Sequence, residues 1–122
     1  MLFTDRVTIL RPGRRPGEYG GTVDDWDAAT EVPVPFGVSV QPRSASSDVD
    51  PARHTLLSGH VLITQPPHLL DTLRETDRVR VDTQPGRDGR PLVFDVVGDP
   101  DRQHFRTPVL PHSEIGIEAR NG

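Results

Sequence analysis

Cysteine is absent from the chain, so neither a disulfide nor a thiolate metal site can form. Lysine is absent too, and all 14 cationic residues are arginine. A GC-rich host genome accounts for that usage; selection for bidentate contacts at interfaces is the alternative. Aromatics are confined to Phe3, Tyr19, Trp26, Phe36, Phe94 and Phe105. A barrel that binds single-stranded nucleic acid wants more of them, on an exposed basic face. The net charge of −4 gives no bulk attraction to nucleic acid. No apolar run approaches the ~18 residues of a membrane span. The opening Met-Leu-Phe-Thr-Asp-Arg has no basic, then apolar, leader pattern, so a soluble intracellular product is expected.

What is present points to strands. The 122 residues suit one domain, 1–122, with one modest core. Val, Ile, Leu and Phe make up about a quarter of the chain, above the level of disordered sequences. Val outnumbers Leu, and β-branched side chains fit pleated strands. Thirteen prolines and 11 glycines imply many turns.

Alternation places the strands. Asp5–Leu10 puts Val7 and Ile9 on one face. Glu31–Val40 alternates through Val32, Val34, Phe36, Val38 and Val40, but Pro33 and Pro35 mark an edge or an irregularity. Thr55–Gln65 reads with Val61 and Ile63 inward, and Asp77–Thr83 with Val79 and Val81 inward. Pro91–Gly98 offers Leu92, Phe94 and Val96, and Glu114–Ala119 offers Ile115 and Ile117. Pro66–Glu75 has room for one helical turn through Leu69, Leu70 and Leu73. The expectation is an all-β antiparallel barrel or sandwich of about six strands. It carries long loops at about 11–30, 44–54 and 98–112.

No catalytic constellation stands out. Ser58-Gly59-His60 places a hydroxyl near an imidazole, but a triad also needs an orienting acid and an oxyanion hole. The five histidines (54, 60, 68, 104 and 112) lack metal-ligand spacing. The Asp-rich spots at 24–27, 48–50 and 99–101 do not continue into a calcium loop. The basic "RPGRRPGEYGG" stretch lacks the Gly-Lys-Ser/Thr of a phosphate cradle. No enzyme activity, metal or cofactor is expected. A small scaffold with long loops and no site fits a structural or assembly protein, whose loops make the contacts.

The segments "DRVTILRPGRRPGEYGGTVDDWD", "GVSVQPRSASSD", "DRVRVD", "LVFDVVGDP" and "HSEIGIEA" follow one another in an order that resembles a known family. It is that of the head-to-tail stopper, or head-closure, proteins of long-tailed phages, especially those of actinobacteria. The resemblance spans nearly the whole chain. Ile115 stands where Val is common, and "TQPGRDGRPL" and "QPPHLLDTLRET" are longer than usual.

The resemblance implies a virion protein of the phage neck, made in the host cytoplasm. It implies a homo-oligomeric ring, six-fold rather than twelve-fold. That ring would sit below the portal and adaptor and above the tail terminator or tail tube. It would close the DNA channel after packaging and offer the tail its docking surface. Genomic DNA would pass through without sequence-specific binding, and no membrane is involved. The polar loop after "VQP" would reach the channel or a neighbouring ring through Ser44, Ser46, Ser47, Asp48, Asp50, Arg53 and His54. Arg11, Arg14, Arg15, Tyr19 and Trp26 are the candidate adaptor or tail contacts. A tail terminator of the same phage is the runner-up. A small enzyme or a nucleic-acid-binding barrel is the reading from another class.

Overall fold

The computed structural model describes residues 2–42, 59–86 and 88–119. Its strands are β1 (Val7–Pro16), β2 (Thr22–Pro33), β3 (Val38–Pro42), β4 (Gly59–Thr64), β5 (Arg78–Pro85), β6 (Pro91–Val96), β7 (His104–Phe105) and β8 (His112–Ala119). All join one antiparallel sheet in the order β2-β1-β5-β6-β8-β4-β3, with β7 added to β8. The fold is all-β, as the alternation indicates.

The sheet path is open, with β2 and β3 at its ends. Asp5, just before β1, returns to the β3 edge through a two-bond bridge with Val38. Its carboxylate fastens this seam further. It accepts from Val40 N–H at 3.0 Å, Thr83 Oγ1 at 2.8 Å and Gln84 Nε2 at 3.1 Å. One acidic side chain thus ties β3 to β5 across the seam.

The core follows from the register. Ile9 lies opposite Val79, Val79 opposite Phe94, Val96 opposite Ile117, Ile115 opposite Leu62, and Leu62 opposite Val40. Directly opposed residues share a face, so these side chains converge. Val7, Ile9, Val38, Val40, Val79, Val81, Phe94, Ile115 and Ile117 are buried as expected, and Phe36 and Val96 pack against them from partly buried positions. Val34, Leu70 and Leu73 complete the cluster.

Several expectations change. In β4 the inward residues are Leu62 and Thr64, while Val61 and Ile63 are only half-buried. A polar Thr64 is tolerated inside because its hydroxyl donates to His68 O at 2.7 Å and accepts from Ser113 N–H at 2.8 Å. Both its hydrogen-bonding roles are satisfied, so the strand phase that buries Leu62 wins.

The region 11–30, expected as a loop, is instead most of a long hairpin formed by β1 and β2. Its alternation is hidden because β2 is an edge strand, exposed over most of its length. Proline at 12 cannot donate to the ladder. The pairing there steps from Arg11↔Thr30 to Gly13↔Asp25, a bulge that frees Trp26 to Ala29. A Cβ on Gly13 would meet the Cβ and carbonyl oxygen of Ala28 at 3.0 Å, so a larger residue there would require Ala28 to shift by a few tenths of an ångström. The turn between the arms uses Gly20 and Gly21 at φ of 91° and 69°, conformations that glycine adopts readily.

Pro66–Glu75 forms successive hydrogen-bonded turns rather than a helical turn, with His68 N–H to Gln65 O, Leu73 N–H to Leu70 O, and Asp77 N–H to Arg74 O just beyond. The helical turn among the described residues is a 3-10 turn at Pro100–Arg102, capped by the Asp99 carboxylate on Asp101 N–H. It belongs to the 98–112 segment, which is otherwise irregular apart from β7 and the start of β8.

Candidate functional site

The hairpin gathers the candidate contact residues but gives them different roles. Arg11 is a structural residue. Its Nε and Nη2 grip the fully buried Asp77 carboxylate at 3.2 and 2.9 Å, and Nη2 also donates to Thr72 O at 2.7 Å. Asp77 in turn accepts from Arg74 N–H at 2.9 Å. The hydrogen bonds that Arg11 donates to Asp77 hold its pKa above its ordinary value, against the opposing pull of burial. Arg11, a candidate partner contact from the sequence, thus fastens β1 to the turn that leads into β5, with its side chain still partly exposed.

Trp26, in the bulge, lies under the Arg78 guanidinium, whose carbon stands 3.6 Å from the ring centre. Arg78 also faces Asp95 at 3.4 Å. The indole thus contributes a cation–π contact within the chain.

Arg14, Arg15 and Tyr19 lie toward the hairpin tip. Arg14 spans the arms to Asp24 at 2.6 Å and Thr22 Oγ1 at 3.0 Å, yet its side chain remains mostly exposed. Arg15 is exposed, and Tyr19 is 96% exposed, the most open large apolar side chain among the described residues. Val23 beside them is also exposed. The result is a small basic and aromatic tip on a two-stranded arm.

The sequence reading missed a second surface. Val97, Phe105, Val109 and Leu110 are exposed along the segment that carries β7. Phe105 stacks on His112 with ring centres 4.9 Å apart. His112 reaches Glu114 Oε2 and Leu110 O, each at 2.8 Å, and acceptance by Leu110 O, then by Glu114, raises its pKa above the usual histidine value. "FRTPVLP" lacks alternation, so nothing in it separates a buried segment from an exposed one.

Between this segment and the turn after β4 lies an open cleft of about 570 Å³, lined among others by Asp71, Arg74, Glu75, Asp99 and Asp101. The described residues that line it include no serine, cysteine or histidine. His60, from the Ser-Gly-His stretch, sits edge-on to Phe94 with ring centres 5.0 Å apart. Among the described residues no group of three His, Asp or Glu side chains converges as a metal site. No helix among them is long and apolar enough to cross a membrane.

The loop residues Ser44, Ser46, Ser47, Asp48, Asp50, Arg53 and His54 lie outside the described residues.

No family model matches the chain, and no curated protein does. Among solved structures, it is similar to the solution structure of protein SF1141 from Shigella flexneri 2a. The two share 15% sequence identity with a TM-score of 0.57, over 96% of this chain and 92% of that one. The likeness is one of fold.

Proposed function

We propose that the protein is a head-to-tail stopper of a long-tailed phage, a ring subunit that closes the DNA channel below the portal and adaptor and receives the tail. The observation that carries the reading is where the family-like motifs fall on the fold. The Arg-Pro-Gly motif forms the bulge of β1, and the Tyr-Gly-Gly-Thr motif forms the turn, so both belong to one hairpin. Asp77-Arg-Val leads into β5, "LVFDVVGDP" forms β6 and its exit, and "HSEIGIEA" is β8 itself. The motifs thus shape a small scaffold with an exposed arm, as a docking subunit requires. Arg14, Arg15 and Tyr19 serve as the contacts to the adaptor or tail. The loop 44–54 faces the channel or a neighbouring ring.

Gold-labelled antibody against the protein, applied to disrupted virions, tests the assignment. Label at the head–tail junction on tailless heads is the expected result. Label that stays with detached tails would favour a tail terminator, and absence from virions would reject both.

A further inference from the structure

The inner end of the 97–111 segment is held by an unusual polar pair. Ser113 is fully buried on β8, and its Oγ accepts from Leu70 N–H at 2.9 Å. His104 Nδ1, on β7, lies 2.6 Å from the same Oγ. The far ring nitrogen, His104 Nε2, is buried with no partner among the described residues.

Counting hydrogens favours one arrangement of the protons. The Ser113 oxygen already accepts from Leu70, and its own hydrogen needs an acceptor. Nδ1, 2.6 Å away, can take it, which is the arrangement of a neutral His104 with its proton on Nε2 and the one that satisfies the serine hydrogen. A second proton on the ring would sit on Nδ1 and point at Ser113 Oγ. The serine hydrogen would then have to turn away into a buried site. The imidazolium would also keep a buried, unpartnered N–H.

We propose that His104 is an acid-released latch: protonation expels its ring from Ser113 and loosens the His104 end of β7 on β8, while Phe105 stays stacked on His112. The inference stands independently of the neck assignment.

The charged surroundings agree. Burial is the first cause that lowers the His104 pKa, and Arg106 on the same segment adds to it; Asp71 and Asp101 oppose it without reversing it. On β8 the neighbouring titratable groups are His112 and Glu114, and they act the other way. Protonated His112 holds Glu114 and Leu110 O more strongly, so acid tightens the outer end of the segment. On the inner side, Gln103 binds Val97 O at 3.0 Å and Asp99 O at 3.2 Å, and its Oε1 accepts from Gly116 N–H at 2.6 Å. Nothing in that amide set titrates. His68, on the turn before Leu70, stacks on Phe36 with ring centres 4.5 Å apart. Acid therefore loosens one point, between two clamps that it leaves closed.

The test is an NMR titration of the whole chain from about pH 7 to about pH 5, the range in which histidines change charge. It follows the His104 ring and the exchange of the Leu70 amide, corrected for intrinsic exchange rates. The expected result is a several-fold loss of Leu70 protection that tracks His104 protonation, with Val79 in the core unaffected. His104→Asn places an amide oxygen near the Nδ1 position and should remove the pH response. His112→Gln should keep it. Leu70 protection that stays constant while His104 titrates would overturn the inference. So would an H104N chain that loses protection in parallel with the wild type.

Discussion

Phe94 shows how much one side chain carries. It is fully buried, opposes Val79 on β5 and Ala119 on β8, and makes a tilted ring contact with His60. Phe94→Ala should cost roughly 3–5 kcal/mol, most of the stability of a small domain. A urea melt reads this, and a shift of only a few tenths of a kcal/mol would place the ring outside the core. Arg11 and Arg15 form a second contrast. Arg11→Ala would leave Asp77 buried without its cation and should destabilise by about 2–3 kcal/mol, a value discounted because the guanidinium is partly exposed. Arg15→Ala should stay within ~0.5 kcal/mol in the same melt. In a docking assay the order should reverse, with Arg15 and Tyr19 substitutions weakening attachment at unchanged stability. Equal loss of stability for both arginines would contradict the division of roles. The histidine signs also follow. His104, depressed by burial, contributes stability that is lost as pH falls below the ordinary histidine value of about 6.5. His112, raised by its partners, contributes stability that is complete below that value and lost as pH rises through its folded one.

At the scale of elements, the strands that bury one face were legible. Val7 with Ile9, Val79 with Val81, and Ile115 with Ile117 alternate without interruption, and all six are inward. β4 was misread because "HVLIT" is apolar at three successive positions, 61 to 63. Period two cannot choose a phase in such a run. The choice came from long-range register with Ile115 and Val40, and from the hydroxyl network of Thr64. The hairpin was misread because an edge strand with both faces wet carries no apolar period. Arg11 looked like a surface cation because its partner, Asp77, lies 66 residues away. The His104–Ser113 pair was equally invisible, since it depends on the two-residue strand β7. The loop Ser44–His54 has its own prediction, from composition. Replacing Ser46–Arg53 with a short Gly-Ser linker should change stability by ~1 kcal/mol or less, because closure entropy varies slowly with length. The same change should abolish DNA retention or ring docking. Unfolding of the shortened chain would show that the segment pairs within the sheet, and full function would make it a passive connection.

For the whole molecule, the shared fold with SF1141 describes the scaffold, and the proposed role rests on what the scaffold presents. The arm tip is small, and the longest edge strand, β2, carries Asp24, Asp25, Asp27 and Glu31 together with a bulge. Charges and bulges on an edge discourage open-ended strand pairing. The free protein should therefore be a monomer or weak oligomer that closes into a ring only on a template, where neighbours are held at high local concentration. Light scattering at low micromolar protein should report the monomer mass, and a stable ring without partners would refute that assembly route. The central proposal, a phage stopper role, is tested most directly by disrupting the gene in the genome that carries it and imaging the released particles by electron microscopy. The account predicts tailless heads, emptied or leaking DNA, beside free tails of normal length, with joining restored by the gene supplied in trans. Tails of uncontrolled length, or intact infectious particles, would contradict it.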